Sequence, residues 1–147
     1  MKKTGIINSQ LMGELTRMRH RDKIMICDAG FPVPEGKTLV DVSLVAGLPT
    51  VDQVLKAVCN EILIEDIVVP NRFEEFYPEF FEELKTKFAN HEFIRMPVKD
   101  MVERAYDRDV KLFIRTGENR PMGNILLSSA SAATDFKKLE VVFENVL

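Results

Sequence analysis

The sequence has few of the side chains that disulfide scaffolds and metal sites require. Among its 147 residues only Cys27 and Cys59 are cysteine, and only His20 and His91 are histidine. These four residues are too far apart along the chain to show the spacing of zinc ligands, so no metal site is expected. The two cysteines are either reduced thiols in the core or the partners of a single disulfide.

Long apolar runs are also lacking. The basic start at Met1–Lys3 is not followed by the apolar region of a secretory signal, because residues such as Asn8 and Glu14 interrupt it. No run approaches the ~20 apolar residues that a membrane-spanning helix needs. We therefore expect a cytoplasmic protein with no membrane partner, in which the reduced form of the thiols is favoured.

Neither the charge nor the loops indicate a nucleic acid or a nucleotide. The formal net charge is −3, and lysine and arginine are scattered rather than gathered into the basic stripe of a nucleic-acid-binding protein. The patterns GxGxxG, GxSxG and HExxH and the Walker loop do not occur. A nucleotide-binding α/β module therefore rests on fold analogy alone. A neutral sugar, by contrast, places no demand on net charge.

Short apolar runs that alternate with helical patterns predict the fold. The predicted strands are Lys23–Cys27, Leu39–Val45, Glu61–Val69, Phe93–Met96, Val110–Ile114 and Ile125–Leu127. The predicted helices are Ser9–His20, capped by Ser9, a helix from Val51, Pro78–Phe88 and a helix from Pro97. This alternation predicts a single α/β domain over residues 1–147, with a mainly parallel sheet flanked by helices.

The end of the chain permits two interpretations. From Ala130 to Leu147 the sequence begins with small residues and then places large apolar ones at helical spacing. We expect a docked amphipathic helix carrying Phe136, Leu139, Val142 and Phe143. A strand over Leu139–Phe143 is the alternative.

Polar side chains follow two of the predicted strands. In open α/β sheets ligands bind beyond the carboxyl ends of strands, where Asp28 and the segment Thr116–Glu118 stand. His20 precedes the strand that Asp28 follows, so roughly 15 Å of strand separates them within one chain. Either a neighbouring subunit or a different path of the chain would have to bring them together. The plainer interpretations are a histidine at a helix end and an aspartate in a turn. His91 is expected at the surface.

Taken in order, several motifs resemble the bacterial D-ribose pyranases and the related L-fucose mutarotases. The matching motifs are His20-x-Asp22, Cys27-Asp28-Ala29-Gly30-Phe31-Pro32-Val33-Pro34, Arg115-Thr116-Gly117-Glu118 and Gly123-Asn124-Ile125-Leu126-Leu127, with Tyr77-Pro78 closer to the pyranase branch. The resemblance covers residues 1 to about 130 and leaves 131–147 as a C-terminal extension.

The resemblance implies a cofactor-independent isomerase that interconverts ring forms or anomers of a free monosaccharide, most simply D-ribose. It places His20 at the family's proton-donor position and Asp28 and Asn124 at substrate-binding positions. It also implies a cytoplasmic, ring-like homo-oligomer with sites near subunit interfaces. Histidine suits the role because both of its protonation states are available near neutral pH.

Two departures from the family pattern leave alternatives open. Met122 stands at a substrate-binding position where the family often has tyrosine, and the segment Pro97-Val98-Lys99-Asp100 lacks the histidine that ribose pyranases tend to carry there. The alternatives are a non-catalytic sugar-binding or assembly protein on the same scaffold, and a mutarotase for L-fucose or another sugar.

Overall fold

Six strands form one sheet in the computed structural model, which describes residues 1–132 and 136–147. The strands are β1 (Lys23–Cys27), β2 (Thr38–Asp41), β3 (Ile64–Pro70), β4 (Glu92–Met96), β5 (Val110–Arg115) and β6 (Ile125–Ser129). Their order in the sheet is β2-β5-β1-β6-β3-β4, and β6 alone runs antiparallel to its neighbours. The prediction of an α/β domain with a mainly parallel sheet is confirmed.

Both faces of the sheet are covered, as expected for parallel strands that read as continuous apolar runs. Along β1, Ile24 and Ile26 enter a large core on one face, while Met25 and Cys27 enter a smaller core on the other. Cys59 belongs to the large core, so the sheet separates the two cysteines, and both are free thiols. Burial raises the pKa of Cys27 to about 12. The single-disulfide alternative is therefore wrong.

Six helices accompany the sheet within the described ranges. They are α1 (Ser9–Leu15), α2 (Val51–Cys59), α3 (Phe73–Phe76), α4 (Pro78–Lys87), α5 (Val98–Arg104) and α6 (Phe136–Leu139). The short α3 was not predicted. None of these helices is long and apolar enough to cross a bilayer.

The first helix differs from its predicted bounds at both ends. Its N-cap is Asn8, whose Oδ1 accepts a hydrogen bond from the Leu11 backbone N–H at 2.9 Å, and not Ser9. It ends at Leu15, five residues before His20. His20 therefore lies in a turn that leads into β1, and the prediction of a helix reaching it is wrong.

The C-terminal segment docks without continuing as a helix. Helix α6 is a single turn, and beyond it Val141 and Phe143 are buried while Val142 is half exposed. The Asn60 side chain donates to the Phe143 carbonyl at 2.9 Å and accepts from the Phe143 N–H at 2.8 Å. Alternate residues thus enter the core, so the predicted long helix is wrong, and no strand forms over Leu139–Phe143. Residues 133–135 of this predicted helix lie outside the described residues.

Candidate active site

Asp28 and Asn124 meet at the carboxyl end of β1. Asp28 follows β1, and Asn124 precedes β6, which pairs with β1 in the opposite direction. Asn124 Nδ2 donates to Asp28 Oδ2 at 2.9 Å, and the Asp28 backbone N–H donates to Asn124 Oδ1 at 3.0 Å. The reversed strand therefore brings together two side chains that are 96 residues apart in sequence.

The Asp28 carboxylate is only half exposed, and this changes its acidity. Burial raises the pKa of Asp28, and the nearby charge of Glu118 raises it further. Hydrogen bonds from Asn124, Gly30 and Phe31 act in the opposite direction but do not cancel the effect of burial. Asp28 Oδ1 accepts from the Gly30 N–H at 3.0 Å, which fixes the carboxylate in the turn after the strand. The pair offers acceptor and donor atoms side by side, as recognition of a sugar hydroxyl requires.

Glu118 holds the loop that follows β5 against this pair. Its carboxylate is almost completely buried and accepts hydrogen bonds from the Arg120 guanidinium at 2.8 and 3.0 Å and from the Arg120 N–H at 2.9 Å. It also accepts from the Val51 N–H at the start of α2, at 3.3 Å. Burial alone would raise the pKa of Glu118, but the hydrogen bonds from Arg120 and Val51 and the charge of Arg120 together outweigh it and lower the pKa. The Ala29 N–H donates to the Glu118 carbonyl at 2.9 Å, which joins this loop to the turn at Asp28.

Thr116 and Gly117, the two residues before Glu118, each have a structural role in the Arg115–Glu118 motif. Thr116 Oγ1 donates to the Cys27 carbonyl at 2.9 Å and accepts from the Glu118 N–H at 3.1 Å. A side-chain Cβ at Gly117 would lie 2.2 Å from the Leu48 carbonyl oxygen. The backbone of the 44–49 loop therefore passes where any side chain at position 117 would stand.

Arg120 and Tyr77 pack against each other at one side of the loop that holds Glu118. The Arg120 guanidinium lies 4.3 Å from the centre of the Tyr77 ring, a cation–π arrangement. The Tyr77 hydroxyl donates to the Arg120 carbonyl at 3.2 Å. They border a cavity of about 180 Å³, whose lining residues are Asp52, Phe76, Tyr77, Pro78, Glu79, Phe80 and Arg120.

Met122 and Gly123 lie in the chain between Arg120 and Asn124. Met122 has a left-handed backbone (φ 66°), and its partly buried side chain packs against the large core. A Cβ at Gly123 would lie 2.7 Å from the Tyr77 hydroxyl and 2.8 Å from Glu118 Cγ. The loop can therefore seat Asn124 beside Asp28 only because position 123 has no side chain.

His20 lies at the opposite edge of the sheet from Asp28 and Asn124. Five residues of β1 separate the two positions, a span of roughly 16 Å. Its side chain is about half exposed, and Nε2 lies 3.2 Å from Glu65 Oε2 near the start of β3. Within one chain the structure therefore brings together Asp28, Asn124 and the loop of Met122, but not His20.

Sequence reasoning missed three of the side chains that shape these regions. The sequence places Glu118 in a polar loop after a strand and in a family motif but gives it no role of its own, and it singles out neither Arg120 nor Glu65. A signal was present for Glu65, because it and Asp66 interrupt an otherwise apolar strand. Val98 begins α5, so a non-ionisable side chain stands where the family's late histidine was expected. Within 1–132 and 136–147, no three or more histidine, cysteine, aspartate or glutamate side chains are arranged so that they could hold a metal ion together.

Comparison with known proteins identifies the family of the chain. Residues 1–132 match the RbsD / FucU transport protein family. A D-ribose pyranase from Streptococcus agalactiae is 38% identical over 129 residues, covering 88% of this chain and 97% of its own length. The structure of Bacillus subtilis RbsD complexed with D-ribose superposes with a TM-score of 0.80 at 33% identity, covering 89% and 98% of the two chains.

A more distant structure shares the fold. The fucose mutarotase from Streptococcus pneumoniae, in complex with L-fucose, has a TM-score of 0.64 at 20% identity and covers 86% of this chain and 95% of its own. On the strength of the match over residues 1–132 and of the relatives that span nearly their full length, this chain belongs to the RbsD / FucU transport protein family.

Proposed function

We propose that this protein is an isomerase of the D-ribose pyranase type, which interconverts the ring forms of free D-ribose without a cofactor. The observation that carries the proposal is the reciprocal Asp28–Asn124 pair at the carboxyl end of β1. It occurs in a chain 38% identical to a D-ribose pyranase and superposable on a relative whose structure is complexed with D-ribose.

The reaction requires one proton to leave and one to arrive. The anomeric hydroxyl loses a proton, the bond between the anomeric carbon and the ring oxygen breaks, and the ring oxygen gains a proton. The open-chain aldehyde then closes through the same or another hydroxyl. A positioned acid or base typically contributes about 10²–10⁴ in rate to each such step. His20 protonates the ring oxygen and takes back the proton that the anomeric hydroxyl releases, while Asp28 and Asn124 bind and orient the sugar hydroxyls.

Because His20 and Asp28 lie at opposite sheet edges, the proposal requires a second copy of the chain. His20 of one subunit would reach the Asp28–Asn124 pair of its neighbour, in a ring-like homo-oligomer in the cytoplasm. The exposure of the His20 side chain supports this arrangement, because it leaves the imidazole accessible to another subunit. We assign residues 131–147 to a C-terminal extension of the same domain, in which Phe143 is hydrogen-bonded to Asn60.

The test is the rate of exchange between ribose ring forms, measured by NMR saturation transfer. We expect the wild-type protein to accelerate exchange and His20→Ala to abolish the acceleration. The matched control is His91→Gln, which removes the other histidine but can still donate to the Leu139 carbonyl that His91 Nε2 contacts at 3.4 Å. Full acceleration by His20→Ala would show that His20 is not the acid.

A non-catalytic sugar-binding protein is the second candidate. Its support is Met122, whose side chain packs on the core instead of presenting an aromatic ring, together with Val98 at the start of α5. Ribose binding without faster exchange would select this candidate. Spectra with L-fucose, allose and galactose would identify a mutarotase for another sugar.

A further inference from the structure

His20 occupies the second position of a tight turn that its neighbours hold rigidly. The Asp22 carboxylate accepts from the Arg19 N–H at 2.9 Å, and the Asp22 N–H donates to the Arg19 carbonyl at 3.0 Å. Arg21 has φ 68°, the left-handed geometry that glycine usually supplies at the third position of such a turn. A bulky residue keeps this backbone conformation only where the surroundings enforce it. The turn therefore presents His20 in a defined direction.

The surroundings that enforce the turn also bring it close to β3. The Arg21 N–H donates to the Ser129 carbonyl at the end of β6, at 2.8 Å, and Ser129 in turn pairs with Ile64 of β3. Glu65 follows Ile64 directly. Its carboxylate consequently lies within 3.2 Å of His20 Nε2, although 45 residues of chain separate the two.

We propose that Glu65 is a positioning residue for His20 and that Nδ1 is the nitrogen that exchanges a proton with the sugar. The inference rests on the proposed function. The 3.2 Å contact between Nε2 and the Glu65 carboxylate holds the imidazole in place and leaves Nδ1 available to a substrate. Nδ1 donates its proton to the ring oxygen and receives the proton that the anomeric hydroxyl releases, so the imidazole ends the reaction in the form in which it began.

A purely structural role does not account for this pair. The side chains of His20 and Glu65 are 51% and 36% exposed, and exposed ion pairs contribute little to folding. Neither apolar core contains either residue. Removal of the Glu65 carboxylate should therefore leave the fold intact, and a loss of activity would report on His20 directly.

Other charged groups stand near Glu65, and they supply the control. A polar cavity of about 280 Å³ opens beside it, and its lining residues are Arg21, Lys23, Glu65, Asp66, Glu92, Asp109 and Ser128. Two of these charged groups, Lys23 and Asp66, are hydrogen-bonded to Ser128. Lys23 Nζ donates to Ser128 Oγ at 2.5 Å, and Ser128 Oγ donates to Asp66 at 2.6 Å. Glu92→Ala removes one negative charge from the same cavity without touching the Glu65 position, so it is the matched control for Glu65→Ala.

The first arm of the test separates rate from binding. We expect Glu65→Ala to lower the saturated ring-exchange rate about tenfold to hundredfold while the Kd for ribose stays within twofold. Glu65→Gln, which keeps an acceptor but no charge, should fall between Glu65→Ala and the wild type. Glu92→Ala should match the wild type. If Glu65→Ala exchanges ribose as fast as the wild type while His20→Ala does not, the inference is wrong and the proposed function stands.

The second arm observes the imidazole itself by NMR with ¹³C- and ¹⁵N-labelled histidine. We expect the His20 ring to be ordered in the wild type and in Glu92→Ala but mobile in Glu65→Ala. On addition of ribose, the Nδ1 resonance should move and the Nε2 resonance should stay. Movement of Nε2 instead would overturn the assignment of Nδ1. A wild-type protein that does not accelerate exchange would refute the proposed function, and the role of Glu65 with it.

Discussion

The two edges of the sheet organise their polar side chains in opposite ways. At the carboxyl edge, Glu118 is almost completely buried, and Asp28 and Asn124 bind each other through two hydrogen bonds. At the other edge, His20 and Glu65 are both substantially exposed and form one ion pair. Groups that must hold a sugar are thus fixed within their own subunit, while the proposed acid stays accessible to another.

This contrast has consequences for mutagenesis. Substitutions at the carboxyl edge should change both stability and sugar binding, because the same hydrogen bonds serve both. Substitutions at the His20 edge should change the reaction alone. Measuring both the free energy of unfolding and the ring-exchange rate of the same variants can therefore refute the contrast.

The largest effect is expected at Gly117. In Gly117→Ala the new methyl group would lie 2.2 Å from the Leu48 carbonyl oxygen and 2.5 Å from its carbon, so the backbone of one loop must move. We expect a loss of about 3 kcal/mol or more in the free energy of unfolding, measured by urea denaturation. Gly13→Ala is the control: its Cβ meets nothing within 4 Å in α1, and alanine should stabilise the helix by about 0.5–1 kcal/mol. Equal stability of both variants would contradict the close approach.

A smaller loss is expected for Glu118→Gln. Glutamine places an amide NH₂ among backbone and guanidinium donors, leaving them unpaired, and should cost about 2–4 kcal/mol near neutral pH. Because the folded protein lowers the pKa of Glu118 below its ordinary 4.5, this carboxylate stabilises the fold above that pH. The stabilisation is lost as the pH falls through the lowered value. The acid limb of the stability–pH curve should therefore be flatter in Glu118→Gln, and an unchanged limb would exclude the role of Glu118.

The smallest change in stability, and of the opposite sign, is expected for Asp28→Asn. The folded protein raises the pKa of Asp28 above its ordinary 3.8, so the contribution of this group to stability falls as the pH rises through that window. At pH 7 the wild type carries a partly desolvated charge that asparagine lacks. We expect a slightly higher Tm for Asp28→Asn together with weaker ribose binding by calorimetry. His20→Ala should shift the unfolding free energy by no more than about 0.5 kcal/mol, and a loss there as large as that of Glu118→Gln would reverse the comparison.

The class of fold could be predicted from local patterns, and the partners within the site could not. Short runs such as Lys23–Cys27 and Val110–Ile114 identify buried strands without reference to the rest of the chain. The turn at His20 depends on the Asp22 carboxylate capturing the Arg19 N–H, which competes with helix formation over the same residues. The docking of Val141 and Phe143 depends on Asn60, which no periodicity in the tail could indicate.

The roles of Asp28 and Asn124 were predicted from the resemblance to a known family, not from the physical properties of the sequence around them. Asp28 and Asn124 are each ordinary turn residues when considered alone, and their pairing depends on the direction of β6. Glu118 looks like a solvated loop residue, because its partner Val51 comes from a distant helix. Such long-range contacts are fixed by the sheet order, which the sequence pattern leaves undetermined.

The antiparallel strand β6 also fixes the distance between the site at Asp28 and the turn at His20. Asn124 precedes it and contacts Asp28, while Ser129 at its far end accepts from Arg21 beside His20. Side chains alternate between the two faces of a strand. Deletion of one residue from β6 would therefore turn its following side chains to the opposite face of the sheet and shift one end of the strand relative to the other. This five-residue strand therefore sets the separation between the Asp28–Asn124 pair and the turn that carries His20.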